Sequence, residues 1–340
     1  MAGARGYHSY RGRTPRSRIV LAVILVVIIL AAVLFMVFQR FVVYDETGHA
    51  RLELPWQTEE PSRQEQPPDN VEIAVEEPER TETQTLQLSA APLTDWNGAA
   101  AQAASAGCNS VAVTVKDASG HVYFDSTLPA ASGAVQTEST TAAALTAMTA
   151  SDTYAIARLS CLLDPIAAKA DVEGMGLKNT GGYIFYDGNN LNWLDPSKPA
   201  ARQYLCGLAK ELAEMGFDEI LLTDVSYPTE GKLDKIAYGE TGKVQNLNAF
   251  LDEMRAALAE YDVKLSIELP AAAISEGSDS QAGLTLTEIA PRVDRIYAAT
   301  TEDQISALSQ AVSAASGETE FVPELTAAPT GFTGSWLVTG

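Results

Sequence analysis

The sequence predicts an α/β chain whose main domain is a (β/α)8 barrel of the TIM type, preceded by one transmembrane helix and a disordered linker. Three observations carry the prediction. Short apolar runs alternate with helical patterns from about residue 86 onward, which argues for a parallel sheet. No Gly-rich phosphate fingerprint follows the first two strands, which disfavours an open nucleotide-binding sheet. The long loops fall after strands 3, 4 and 5, the side on which barrels place their chemistry.

The appendages come first in the chain. Residues 1–18 hold five Arg and no acid, and read as a basic cytoplasmic leader. Residues 19–39 are apolar up to a terminal Gln, and at 1.5 Å rise they match a hydrocarbon core of about 30 Å. That length exceeds a signal-peptide core, and the arginines on one side place the N-terminus in the cytoplasm and the rest outside. The expected setting is therefore a cell membrane, spanned once, with lipid bilayer as a partner through 19–39. Residues 40–56 alternate apolar and polar around Glu46-Thr-Gly48 and suggest a small membrane-proximal hairpin. Residues 57–85 are rich in Glu, Pro, Gln and Thr, and bury too little to offset their ordering entropy. They read as an acidic tether.

The barrel is expected over residues 86–340. Strand 1 is read at 86–93, followed by a helix from Trp96 to Ala106 stopped by Gly107. Strand 2 is the β-branched run Ser110 to Lys116, and strand 3 runs from Tyr154 to Leu163 and ends at Asp164-Pro165. A Gly- and Asn-rich loop, 174–192, precedes Trp193-Leu-Asp-Pro196 and a helix with Tyr204, Leu205, Leu208 and Leu212 on one face. Strand 4, Glu219 to Thr223, delivers Asp224; strand 5 carries Glu268; strand 6 ends at Ala299; strand 7, Glu320 to Leu325, carries Glu324. Trp336 to Thr339 is the eighth strand. Little room remains for helices after strands 7 and 8, so an incompletely closed barrel is expected.

Composition narrows the function. The net charge is -21, and about -26 once the leader is set aside, a field that disfavours nucleic acid. Three widely spaced Cys in apolar stretches read as core thiols, and three scattered His assemble no His-based metal site, so any divalent ion would sit on carboxylates alone, and no cofactor is expected. Asp117, Asp164, Asp224, Glu268 and Glu324 fall at the ends of five strands and would converge on one mouth. Convergent acids without a His base or nucleophile elbow point to glycoside chemistry, in which one carboxyl group stays protonated and another acts as base or nucleophile. Asp224 and Glu268 are the catalytic candidates, and Asp117, Asp164 and Glu324 would shape the site. Trp193 and Tyr227, with Tyr183 and Tyr186, are candidates for stacking on sugar rings. Any one strand-end Asp is also a natural turn former or helix cap.

Several motifs carry a resemblance. Lys116-Asp117-x-x-Gly120 with Asp125-Ser126, Ala157-Arg158…Asp164-Pro165, Trp193-Leu-Asp-Pro196, Gly216-Phe-Asp-Glu-Ile220 and Leu265-Ser-Ile-Glu268 together resemble the putative glycoside hydrolase domain, a TIM-barrel family of single-span surface proteins in Gram-positive bacteria. The resemblance covers roughly 86–300, and Tyr44…Gly48…Leu52-Glu-Leu-Pro-Trp56 is similar to its membrane-proximal leader. It implies a barrel hydrolase acting on polysaccharide or peptidoglycan. Where the family usually reads Gln-Phe-Asp-Tyr-Val-Arg-Phe-Pro, this chain reads Leu221-Leu-Thr-Asp-Val-Ser-Tyr-Pro228. Thr223 thus occupies the place of the strand-4 acid, Asp224 stands one position later, and Ser226 replaces the Arg. Glu268 replaces the usual Asp, and Ile296-Tyr-Ala-Ala-Thr300 replaces a Met-Tyr-Pro-Ser pattern. Side chains alternate along a strand, so a shift of one turns Asp224 away from the mouth. The alternatives to a hydrolase are a glycan-binding pseudoenzyme and an envelope scaffold.

Overall fold

Alternation along each strand sorts its side chains between two cores. In β2 (Ser110–Lys116), Val111, Val113 and Val115 join the large core between strands and helices, while Ala112 joins a small cluster inside the barrel. The same parity places Ile156, Leu221, Tyr297, Val322 and Leu337 in that inner cluster. The computed structural model that shows this describes residues 42–44, 50–52, 82–89 and 91–339.

Eight parallel strands close the barrel: β1 (Gln84–Gln87), β2, β3 (Tyr154–Ser160), β4 (Glu219–Thr223), β5 (Lys264–Glu268), β6 (Arg295–Ala299), β7 (Glu320–Leu325) and β8 (Trp336–Thr339). Closure is complete, against the expectation of an open C-terminal side. β8 pairs with β7 through Glu324↔Leu337 and with β1 from Trp336↔Gln84 to Thr339↔Gln87. An extended connection, 326–335, spans from β7 to β8 without a helix, which is how so short a tail suffices. β1 lies at 84–87 and not at 86–93. Its polar Thr85 belongs to the lumen, where its hydroxyl donates to Ser110 Oγ (3.1 Å), and Pro92 has no N–H for a ladder.

The helices are α1 (Trp96–Ser105), α2 (Ser139–Thr149), α3 (Pro165–Ala170), α4 (Pro199–Glu214), α5 (Lys243–Leu258), α6 (Ala271–Ser275), α7 (Leu286–Ile289) and α8 (Ile305–Ala315). α4 starts on Pro199, buries Tyr204, Leu205, Leu208 and Leu212, and ends shortly before Gly216, whose φ of 92° lets the chain reverse into β4. All three cysteines are free thiols, with Cys161 and Cys206 buried.

The floor of the barrel, at the N-terminal ends of the strands, is polar and centred on the fully buried Glu219 and Arg295. Glu219 accepts from Arg295 Nη1 (2.7 Å), Ser266 Oγ (2.5 Å), Tyr297 (2.8 Å) and Tyr154 (3.0 Å). Arg295 also donates to Glu320 (2.8 Å) and Thr83 Oγ1 (3.2 Å). Four donors on one buried carboxylate satisfy it and fix the register of β3 to β7 at that end.

Residues 77–340 form one compact unit. In the other, Val42–Tyr44 pairs antiparallel with Ala50–Leu52, in line with the hairpin expected there. The leader, the 19–39 span and most of the acidic linker, 57–81, lie outside the described residues. Among the described residues no helix is long and apolar enough to cross a membrane.

Candidate active site

The mouth is built from the last inward residue of several strands. In β5, Leu265 and Ile267 face the helices, so Ser266 and Glu268 face the lumen, and Glu268 stands at the rim. β3 reads Tyr-Ala-Ile-Ala-Arg-Leu-Ser, and with Ile156 inside the barrel, Arg158 and Ser160 share its face. The Arg158 guanidinium bridges the barrel, pairing through Nη1 with Glu324 (2.9 Å) and through Nη2 with Glu268. Burial opposes the Arg158 charge, but the two glutamates outweigh it and hold its pKa above the usual guanidinium value. Burial raises the Glu268 pKa, Glu324 reinforces the rise, Arg158 opposes it, and Asp224 adds a smaller push, leaving it above the ordinary carboxylate value.

Asp224 reaches the same space by a backbone device. Leu221 and Thr223 share the inward face of β4, so alternation alone sends Asp224 outward. At the end of the strand Asp224 takes the left-handed conformation, φ 54°, and the chain turns. Its Oδ2 accepts from Ser160 Oγ of β3 (2.6 Å) and from Thr223 Oγ1 (3.2 Å). The threonine in the acid's expected place therefore orients the acid that follows it. Asp224 and Glu268 line one cavity of about 300 Å³ at the C-terminal end of the barrel, together with Ser226, Thr229, Asp279 and Ala299.

Two carboxylates in one cavity at that end of a barrel can share proton donation and attack on a glycosidic bond. The sequence profile of the family described as "Putative glycosyl hydrolase domain" matches residues 94–300. The chain belongs to this family. No curated protein matches it. The glycoside hydrolase domain of PgaB (BpsB) from Bordetella bronchiseptica is 16% identical, over 72% of this chain and 84% of that one, with a TM-score of 0.50, a likeness of fold. A hypothetical protein from Ruminiclostridium thermocellum is 28% identical over 54% of this chain and 96% of that one, with a TM-score of 0.47. An exo-β-N-acetylglucosaminidase from Vibrio harveyi is 11% identical over 72% of this chain and 41% of that one, with a TM-score of 0.49. The stretch matched by the glycosyl hydrolase family includes Asp224 and Glu268 and stops before β7, so Glu324 lies beyond it.

Other family motifs serve the scaffold, and several candidates read from the sequence need correction, since the five carboxylates do not converge. Asp117 sits in the turn after β2 and accepts from the Ser119 and His121 N–H groups (3.0 and 2.8 Å) and the Tyr123 hydroxyl (2.8 Å). Burial works to raise its pKa, but these hydrogen bonds and His121 prevail and hold it below the usual value. A one-residue irregularity in β2 puts Lys116 in register with outward-facing Leu159. Lys116 there meets Asp164 at 3.0 Å, both fully buried, while Asp164 Oδ1 caps α3 through the Ala167 N–H (2.8 Å). Asp164 thus offers substrate no surface. Trp193 is buried with its indole N–H on Asp187 (2.8 Å), and Tyr227 is buried, accepting from Asn246 (2.9 Å), so neither presents a face to a sugar. In Gly216-Phe-Asp-Glu-Ile220, Phe217 packs in the core, Asp218 accepts from the Ala155 N–H (2.7 Å), and Glu219 anchors the floor.

From the sequence alone Arg158 and Thr223 are named only as motif positions, and Ser160 is given no part in the site. For Arg158 a signal exists: it is the one charged residue of an otherwise apolar and hydroxyl-bearing strand, at the inward parity of Ile156. Among the described residues no group of three His, Cys, Asp or Glu side chains is arranged to hold a metal ion.

Proposed function

We propose that the protein is a glycoside hydrolase displayed on the outer side of a membrane and acting on cell-wall or environmental polysaccharide. The observation that carries the reading is the pairing of Asp224 and Glu268 in one cavity at the C-terminal end of a closed barrel, within the stretch matched by the family. Glu268, with its raised pKa, is suited to hold a proton and deliver it to the leaving oxygen. Asp224, oriented by the Ser160 and Thr223 hydroxyls, is placed to attack the anomeric carbon or to activate a water. Arg158, itself paired with Glu324, holds Glu268 in place. Anchoring rests on the 21 apolar residues 19–39 and the arginines before them. An anchored chain stays in the membrane pellet after alkaline carbonate and leaves it with detergent; release by carbonate alone contradicts anchoring.

The test of catalysis is reducing-end release from a panel of polysaccharides, peptidoglycan included, by the full-length protein in detergent. Release should fall by about 10²-fold or more in Glu268→Gln and in Asp224→Asn. A variant that keeps the parent rate removes that residue from the chemistry. One observation favours a second reading, a barrel that binds glycan without turnover: Arg158 pairs directly with Glu268, and Thr223 stands where the family's acid is expected. Glycan affinity with no release by the parent protein selects that reading.

A further inference from the structure

Among the described residues two large hydrophobic side chains stand exposed, Tyr183 at 75% and Tyr186 at 47%, three positions apart on the loop between α3 and α4. Exposing aromatic rings is unfavourable, so a pliable loop would fold them inward. This loop is pinned on both sides of each ring. Asn179 Oδ1 accepts from the Gly181 and Tyr183 N–H groups (2.9 and 3.2 Å), and the Asn179 N–H donates to the Tyr183 carbonyl (2.7 Å). Phe185, between the tyrosines, is buried; its N–H donates to the Leu177 carbonyl (2.8 Å) and its carbonyl accepts from the Asn192 side chain (2.6 Å). After Tyr186, Asp187 accepts from the Asn189 and Leu191 N–H groups (2.9 and 2.8 Å) and from the Trp193 indole (2.8 Å). The buried Trp193 is thus a brace for the loop that shows the tyrosines to solvent.

The loop is also continuous with the rim of the cavity. The Thr180 N–H donates to the Lys235 carbonyl (2.8 Å), and the Ala237 N–H to the Lys178 carbonyl (2.9 Å), which ties it to the loop after β4. The Gly188 N–H meets the Glu230 carbonyl (3.2 Å) and the Asn189 amide meets its carboxylate (3.2 Å). Thr229, the residue before Glu230, lines the cavity that holds Asp224 and Glu268.

We infer that Tyr183 and Tyr186 form an outlying platform for a neutral polysaccharide, contacting sugar units beyond those held between Asp224 and Glu268. The choice of ligand rests on the glycoside hydrolase reading above; the platform itself rests on the pinned, exposed rings and their link to the rim. A pyranose has an apolar C–H face and a polar hydroxyl edge. The exposed phenol rings, with exposed Asn189 and Asn190 on the same loop and Glu230 on the loop bonded to it, offer the matching kinds of surface.

Calorimetric titration of the full-length protein in detergent with chitohexaose and cellohexaose, beside the corresponding disaccharides, tests this. At least one hexasaccharide should bind about tenfold more tightly than its disaccharide. Tyr183→Ala and Tyr186→Ala should each weaken the hexasaccharide on the order of tenfold and leave the disaccharide unchanged, whereas Phe at either position should retain binding. Unchanged hexasaccharide affinity in the double alanine variant overturns the platform, as does absence of binding by any hexasaccharide. Concentration-dependent self-association abolished by the alanine variants, without an effect on glycan, also overturns it and makes the rings a contact between copies. The titration reads binding alone: tight hexasaccharide binding with no reducing-end release defeats the hydrolase reading and leaves the platform standing.

Discussion

Arg158 sits between Glu268 and Glu324, so it screens each glutamate from the other. Replacing it with Met leaves two partly buried carboxylates facing each other. The Glu268 pKa should then rise further, and denaturant unfolding should show a loss of roughly 2–3 kcal/mol. Glu324→Gln acts the other way, removing the neighbouring charge that most raises Glu268. If Glu268 is the proton donor, hydrolysis falls as pH rises through its pKa, and in Glu324→Gln that alkaline limb should move to lower pH. Stability follows the same sign. A carboxyl group raised above 4.5 contributes stability that is complete below pH 4.5 and is lost as pH climbs through the folded value. Asp117, held below 3.8, does the reverse, and its contribution is lost on acidification. Glu268 and Glu324 are legible in the sequence because each stands at the inward end of a short apolar strand. Asp164 misleads because a strand-end Asp before Pro serves equally as a helix cap, and here it does.

At the scale of elements, the end of β4 departs most from what its sequence dictates. Alternation predicts Asp224 outside the barrel, and a single left-handed residue returns its carboxylate to the mouth. Aspartate tolerates that conformation far better than a β-branched residue does. Asp224→Asn should therefore fold with near-native thermal stability, while Asp224→Val should lose roughly 2–3 kcal/mol through backbone strain and the lost hydroxyl contacts. A near-native melting temperature for the valine variant contradicts the turn. The central strands β2 to β7 are readable from apolar runs between helical patterns. β1 is not, because half of its four residues point into a polar lumen and leave no hydrophobic run to detect. The loop at 174–192 reads only as Gly- and Asn-rich; its order comes from side-chain acceptors at Asn179 and Asp187, whose partners follow only once the loop is folded.

The barrel separates a buried floor from an open mouth along its axis. The floor is a closed network on Glu219 and Arg295, and the mouth an open one on Arg158, with the apolar layer of Ile156, Leu221, Tyr297 and Val322 between them. Glu219→Gln should cost about 3–5 kcal/mol in thermal unfolding, since it takes a charge from a buried pair, while glycan binding by the folded fraction stays unchanged. The (β/α)8 class is legible from alternation and loop placement; closure is not, since eight strands in so short a tail require an extended return at 326–335 that leaves no pattern in the residues. Whether Asp224 and Glu268 act as one site is tested most directly, and without knowledge of the sugar, by a carboxylate NMR titration of Glu268 in the native protein and in Asp224→Asn. The geometry predicts a native midpoint above 4.5 that falls when the Asp224 charge is removed. A midpoint indifferent to Asp224 would mean that the two carboxylates do not act on each other across the mouth, and a native midpoint at or below 4.5 would mean that Arg158 outweighs burial and Glu324 at Glu268.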